Sequence, residues 1–513
     1  MELSLFVPSC SRLKKYGKKY YGVRLYRNCV QEIWHEVVQP PFEGTPRPPH
    51  PHGRHGYPPR RSRRPRQLHQ HPVNAARAAT AADACAGVSI DFVELPFPCA
   101  AVGLPDGCEN LDLLPSLESH HVELFFSAAA LLRDPLKQYL LAQPPSSAFM
   151  IADACNPWTR FVVGELRMPR LLFYGPSCLY TLCARMIKHH IIWDRYKDDP
   201  FEPFDVPGLP HPLRISMARM PWLLTAPGWE GFLEEIVESE ATTDGVVINS
   251  FDDLERVYVD CYNGNMEGKK VWTLGPLSLV HKDPDNKAAR GNRVSIVVGE
   301  EHRVIRWLDE KPARSVIYLS FGSVVRHDAA QLMEISHGLE AAGRPFLWVI
   351  KEAEASSQEV EKWLSGFEER TAGRGIVVKG WAPQAAILAH MAVGGFMTHC
   401  GWNSTIEAVA EGIPMATWPH FGDQFINEML VVDSLGIGVA VIDGANGRAV
   451  VVKREEIAKA AARLMDEGAE GEKRRERARE LGRKARKAME VGGSSYLNFT
   501  RLVNFVLDYD RVE

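Results

Sequence analysis

From Ser315 onward the chain repeats one unit: a short apolar run, a stretch of helical period, then another apolar run. "SVIYLSFGS" (315–323) leads to "DAAQLMEISHGLEAAG" (328–343), and that leads to "PFLWVIK" (345–351). "GIVVKGW" (375–381), "GGFMTHC" (394–400) and "PMATWP" (414–419) follow, separated by helical patterns. The apolar runs are short and rich in Val, Ile and aromatic residues, so they read as strands. They lack polar alternation, so both of their faces are covered. Strands alternating with helices need parallel neighbours joined by crossovers. This half of the chain therefore predicts a parallel sheet between two helical layers.

The first half carries the same texture from Asn74. "VSIDFVELP", "SAFMIADACNPW", "PRLLFYGPS" and "TTDGVVINSFDDLE" read as strands or strand ends. "NAARAATAADACAG" and "CLYTLCARMIKHH" read as helices, and Ser119 to Ala142 as one long amphipathic helix. Residues 277–300 lose periodicity and gain charge, Asn and Gly, which marks a linker. The chain of 513 residues thus divides into an anomalous segment 1–71, a first α/β domain 72–276, the linker 277–300 and a second α/β domain 301–490. A closing stretch 491–513 puts Phe499, Leu502, Val503 and Val506 on one helical face, which predicts docking back on the first domain. Two parallel sheets joined by a linker form a cleft, and ligands of such sheets sit at the carboxyl ends of the strands.

The formal net charge of -4 gives no reason to expect nucleic acid as a partner. The ten cysteines are scattered without a CxxC pair, so neither zinc nor a disulfide framework is expected. The opening residues place a short apolar run before a basic one, the reverse of a secretory signal, and no run of eighteen apolar residues appears. A cytosolic chain without a membrane span, working as a monomer, is the expectation.

The densest chemistry lies in "WAPQAAILAHMAVGGFMTHCGWNSTIEAVAEGIPMATWPHFGDQ", Trp381 to Gln424. A strand runs into a helix through Gly401, with Asn403 and Ser404 placed to cap the helix start. A helix N-terminus aimed into a cleft is an anion site, and phosphate is the usual anion. His399 adds a donor there. Glu407 lies one turn further along the same face, where a carboxylate suits a ribose diol. Trp381 offers a flat surface to a base, and Asp423 and Gln424 suit sugar hydroxyls. Read from the residues alone, this is a nucleotide-phosphate site.

The same segment resembles, over its full length, the secondary-product signature of plant family 1 UDP-dependent glycosyltransferases, including "HCGWNS" and the closing "DQ". "NSFDDLE" (249–255), "LSFGS" (319–323) and "GGSS" (492–495) fit that family in the expected order. The resemblance runs from about Pro72 to the C-terminus. It implies a GT-B fold, two Rossmann-like domains facing across a cleft, with the acceptor in the first and the UDP-sugar mostly in the second. It implies that Trp381 stacks on uracil, that Ala382 pairs with it through backbone atoms, and that Gln384 and Glu407 hold the ribose. His399, Asn403, Ser404 and Ser323 would serve the diphosphate, and Trp402, Asp423 and Gln424 would face the sugar. The implied reaction is inverting and needs no metal or other cofactor. UDP-glucose is the co-substrate, because a closing Gln goes with glucose, and a small hydrophobic hydroxylated molecule is the acceptor. A histidine near the N-terminus would take the acceptor's proton, oriented by an aspartate that matches Asp153 in "MIADACNPWT".

Here the sequence departs from the family. The histidine belongs to a "GHxxP" pattern before Asp153, and no such pattern exists. Its place is taken by "PHPHGRHGYPPRRSRRPRQLHQHP" (49–72), which has no acidic residue and one large aliphatic, Leu68. The genetic code offers an explanation. Residues 47–55, written with permitted codons and read one base forward, spell Gly-His-Leu-Ile-Pro-Met-Val-Asp-Met. His52 and His55, each followed by a Gly codon, become only Met or Thr in that frame. Residues 58–66 likewise read Leu-Leu-Ala-Asp-Arg-Gly-Ala-Arg, which is similar to the family's first helix. Three readings stay open: a glycosyltransferase segment in a shifted frame, a non-catalytic UDP-sugar binder, and a basic arm for nucleic acid or a protein partner. A dinucleotide oxidoreductase is set aside, because "GIGVAV" (436–441) lacks the third glycine such a turn needs.

Overall fold

The computed structural model describes residues 4–9, 21–24 and 89–93 as strands, and residues 95–508 apart from 144–148, 191, 197, 221–227, 267, 281–296 and 443–450. The helix expected at 74–87 and the whole of 45–71 lie outside the described residues.

Two sheets carry the molecule. The first has seven strands in the order β3-β1-β2-β4-β5-β8-β9. These are β1 (Ser4–Ser9), β2 (Tyr21–Arg24), β3 (Ser89–Val93), β4 (Met150–Asp153), β5 (Arg170–Tyr174), β8 (Gly245–Ile248) and β9 (Lys270–Thr273). From β2 to β9 every pairing is parallel, and β1 lies antiparallel to both β2 and β3. The segment expected to stand apart thus supplies two strands, with β2 directly beside β4. A small antiparallel pair, β6 (Pro203–Asp205) and β7 (Arg214–Ser216), lies outside this sheet.

The second sheet has six parallel strands in the order β12-β11-β10-β13-β14-β15. They are β10 (Val316–Ser320), β11 (Phe346–Ile350), β12 (Gly375–Lys379), β13 (Val393–Thr398), β14 (Met415–Thr417) and β15 (Gly438–Ala440). The last of these occupies the "GIGVAV" stretch, so that glycine pair belongs to an edge strand and not to a phosphate-binding turn. β10, β13 and β14 are buried at every position, as continuous apolar runs require.

Ser119–Ala142 is not one helix. It breaks into Ser119–Ala130 and Arg133–Leu141. Pro135 sits in the first turn of the second helix, where its missing N–H costs nothing. In an unbroken helix its ring would strike the carbonyl of Leu131. The apolar stripe runs on through the break, with Leu132, Leu136 and Leu140 buried, so periodicity alone did not show it. The C-terminal helix Ser494–Asp508 lies against the first sheet. Leu502 and Phe499 pack with Phe149, Ile151 and Trp272, and Asn498 donates to the Thr273 hydroxyl at 2.9 Å.

Four polar contacts tie the domains across the cleft. The Trp402 indole donates to the Asn249 carbonyl at 2.7 Å, and the Ser177 hydroxyl to the Asn427 amide oxygen at 2.9 Å. Arg219 pairs with Glu428 at 2.6 Å. The Arg326 guanidinium donates to the carbonyls of Asp112, Leu114 and Pro115. The strand ends that face the cleft are held at a fixed distance by these bonds.

Candidate functional site

The carboxyl ends of β10, β12 and β13 bring most of the expected nucleotide residues together. Trp381 and Ala382 follow β12, with the indole half-buried and Ala382 buried. The Gln384 amide donates to the Ser404 hydroxyl at 3.1 Å and to the Glu407 carboxylate at 2.9 Å. The Tyr318 hydroxyl, on β10, donates to the Gln384 oxygen at 3.3 Å. A carboxylate held by an amide at a half-open edge is suited to a diol. Tyr318 was not anticipated, because its contact with Gln384 spans 66 residues.

The helix Trp402–Glu411 begins at the cleft, and its N-cap is Gly401 with no side-chain cap. Asn403 and Ser404 therefore lie inside the first turn rather than capping it, which corrects the expectation. Cys400 just before it is left-handed, with φ 65°. The first helical N–H, at Trp402, bonds the Asp423 carboxylate, and such strain in a non-glycine residue clusters at functional sites. His399 is clamped between two glycines. A Cβ on Gly322 would come within 2.6 Å of the imidazole, and one on Gly401 within 2.5 Å of its Nε2. Burial, together with the charges of His420 and Lys351, lowers the His399 pKa to about 3, so the ring is neutral at physiological pH. Its Nδ1 is buried without a partner. Lys351, at the end of β11, also has a buried Nζ without a partner, and burial lowers it to about 8. Ser323 is exposed on the loop after β10. The ends of β10, β11 and β13 thus bring Ser323, Lys351 and His399 to one edge of the second sheet.

Comparison with known proteins agrees with this geometry. Residues 302–445 match the family model described as UDP-glucoronosyl and UDP-glucosyl transferase. UDP-glycosyltransferase 73C6 of Arabidopsis thaliana is 40% identical over 432 residues, which is 82% of this chain and 86% of that protein. UDP-glycosyltransferase 73E1 of Stevia rebaudiana is 40% identical over 433 residues, with the same shares covered. The chain belongs to the plant family 1 UDP-dependent glycosyltransferases. Among solved structures, UGT73P12 of Glycyrrhiza uralensis, complexed with glycyrrhetinic acid 3-O-monoglucuronide, aligns with a TM-score of 0.73 and 35% identity, covering 85% of this chain and 89% of that one. UGT71G1 of Medicago truncatula, complexed with UDP-glucose, aligns with 0.65 and 26%, covering 75% and 80%. The fold is GT-B, and the activity is UDP-sugar-dependent transfer to a small acceptor.

At the close of the same segment of this glycosyltransferase, backbone groups order Gln424. The N–H groups of His420 and Phe421 donate to the Gln424 oxygen at 2.8 and 3.1 Å. The amide nitrogen is thereby left as a donor. Asp423 is half-buried, and burial raises its pKa to about 6, against the Asn427 N–H that favours the charged form. Trp402 departs from expectation. Its side chain is 3% exposed, and its N–H is taken by Asn249. The indole seals the domain seam rather than facing the sugar.

Asp153 ends β4. Its Oδ1 accepts from the Cys155 N–H at 2.8 Å, and its Oδ2 is buried without a partner. Burial raises this carboxyl to about 6. Close by, both amide atoms of the fully buried Asn156 and the indole nitrogen of Trp158 also lack partners. Asn156 was not singled out from sequence, because an amide after a strand ordinarily closes a turn. No histidine of this sequence was expected to serve Asp153, and His50 and His52, in the stretch where the family's base belongs, lie outside the described residues.

Proposed function

We propose that this chain transfers glucose from UDP-glucose, with inversion, to a hydroxyl of a small hydrophobic acceptor such as a flavonoid, coumarin, terpenoid or hormone. The observation that carries the sugar assignment is the Gln424 amide. With its oxygen held by two backbone N–H groups, its nitrogen can only donate, beside the Asp423 carboxylate that can accept. Such a pair reads adjacent hydroxyls. The acceptor class rests on the apolar first-domain segments around Trp158 and Tyr180, since such pockets are mostly apolar with few polar groups. The related Stevia and Glycyrrhiza proteins support the family's reach, not this acceptor. Calorimetry with UDP-glucose and an ADP-sugar tests the donor, and equal affinities would sink it. A panel of aglycones read by mass tests the acceptor, and turnover of peptides or polysaccharides alone would refute that class. The enzyme acts as a monomer in the cytosol, because both halves of the site come from one chain and the described cysteines are free thiols. Light scattering and a fluorescent fusion check the two statements.

A second reading concerns activity. Among the described residues, four buried polar atoms at Asp153, Asn156 and Trp158, just past β4, have no hydrogen-bond partner. Folded proteins leave few such groups, because each costs about 1–3 kcal/mol. Their concentration beside the catalytic aspartate supports the view that residues 45–71 are a family segment in a shifted frame, and that the chain as written lacks its general base. The nucleotides of the gene decide this. If codons 45–71 do not spell the "GHxxP" pattern one base forward, the stretch is a real basic arm.

A further inference from the structure

The short helix Gln424–Met429 carries an amide whose hydrogen bonds are all accounted for. Asn427 is 0% exposed. Its Nδ2 donates to the Asp423 Oδ2 at 2.7 Å and to the Cys400 carbonyl at 2.9 Å, which uses both hydrogens. Its Oδ1 accepts from the Ser177 hydroxyl at 2.9 Å, across 250 residues of sequence and from the other domain. Ser177 itself accepts from the Tyr180 N–H at 3.2 Å, so its proton is free to point at Asn427. One side chain therefore joins three things: the carboxylate beside Gln424, the left-handed turn at Cys400 that leads into the helix Trp402–Glu411, and the loop after β5 in the acceptor domain.

We propose that Asn427 is the positioning residue of the donor-sugar clamp, and that Ser177 couples this clamp to the acceptor domain. The inference rests on Asp423 and Gln424 facing the sugar. Asn427 takes one oxygen of Asp423 and leaves the half-buried remainder of the carboxylate to accept from a hydroxyl. Without this partner the Asp423 carboxylate would keep only backbone N–H groups, its own and that of Trp402, and its half-buried charge would be less well compensated. Ser177 and Tyr180 stand at the start of the helix Cys178–His189, beside segments that face the acceptor. A shift of the acceptor domain would therefore be felt at Asp423 through a single shared amide. The bond tying Arg219 to Glu428 grips the same short helix one residue later, so both domains meet on it.

The test is the affinity of the full chain for UDP-glucose relative to UDP, measured by calorimetry, which needs no catalytic base. Asn427→Ala is expected to lower that ratio roughly tenfold, the loss of one charge-assisted hydrogen bond; release of the Cys400 carbonyl weakens UDP and UDP-glucose alike and cancels in the ratio. Ser177→Ala is expected to lower it by a smaller factor in the same direction. If Asn427→Ala shows no cooperative melting transition, it has not folded, and Ser177→Ala decides. Asp423→Ala separates the two claims. If it leaves the ratio intact, the sugar is not read by Asp423 and the underlying placement fails. If it abolishes the ratio while Asn427→Ala and Ser177→Ala both keep the parent's value, the placement stands and the positioning role is wrong.

Discussion

His399 has space for its ring only because residues 322 and 401 carry no side chain. Gly401 is the cleaner of the two to test, since its φ of -58° suits any residue. Gly401→Ala is expected to push the imidazole off the diphosphate without straining the backbone, and to weaken UDP binding by about 1.5 kcal/mol, near tenfold. Calorimetry that returns the parent's affinity would mean His399 does not touch the phosphates. A second residue-scale effect comes from His420, whose Nε2 lies 3.0 Å from that of His327. One ring donates and the other accepts, and burial holds both neutral at physiological pH. Burial lowers His420 to about 4. A depressed base adds stability that is present above its unfolded pKa of about 6.5 and is lost as pH falls toward 4. Between pH 7 and 5 this group alone is expected to remove on the order of 1–2 kcal/mol. His420→Phe keeps the stack on Trp418 and cannot titrate, so its melting temperature should fall less over that interval than the parent's. Equal falls in both proteins would show that the ring is not held neutral.

At the scale of elements, the "NSFDDLE" motif acts mainly through Glu255, which caps a different helix. Its carboxylate accepts from the N–H groups of Leu179 at 2.9 Å and Cys178 at 3.2 Å, and from the Ser250 hydroxyl at 2.6 Å. A buried carboxylate at a helix N-terminus gains from the helix dipole. Glu255→Ala strands all three donors and is expected to cost roughly 2–4 kcal/mol, seen as a lower melting temperature with UDP affinity preserved. A change within error would mean the cap is redundant. This contact explains what was legible in the sequence and what was not. The strands were legible because a buried strand writes its period locally, and the 44 residues to Gln424 were legible because the family's motif is contiguous in sequence. The Glu255 cap, the Trp402 bond to Asn249 and the Asn427 bonds were not. Each depends on a partner 76, 153 or 250 residues away, which no local pattern records. The break at Leu131 escaped for the opposite reason: the apolar period is indifferent to the ring of Pro135.

For the whole molecule, the second domain carries the expected donor residues at its strand ends, while in the first domain the Asp153 Oδ2 has no hydrogen-bond partner among the described residues. Restoring the shifted frame over residues 45–71 would place Gly-His-Leu-Ile-Pro before β4 in the chain, and a histidine near Asp153 would gain the orienting carboxylate that a base of this kind needs. A general base contributes about 10²–10⁴ in rate. The frame-restored protein is therefore expected to exceed the chain as written by that factor in kcat with UDP-glucose and a small phenolic acceptor, with donor affinity nearly unchanged because the nucleotide site is untouched. Satisfying the buried groups of Asn156 and Trp158 should also raise its melting temperature. Asp153→Asn supplies the internal control. In the restored protein it should remove most of the gain, because the imidazolium loses its counter-charge. In the chain as written it should change the rate little, because the sequence holds no GHxxP histidine for Asp153 to orient. If the two chains turn over equally fast, or if Asp153→Asn costs both the same, the proton is taken by another group and the shifted-frame account of this enzyme's missing base is wrong.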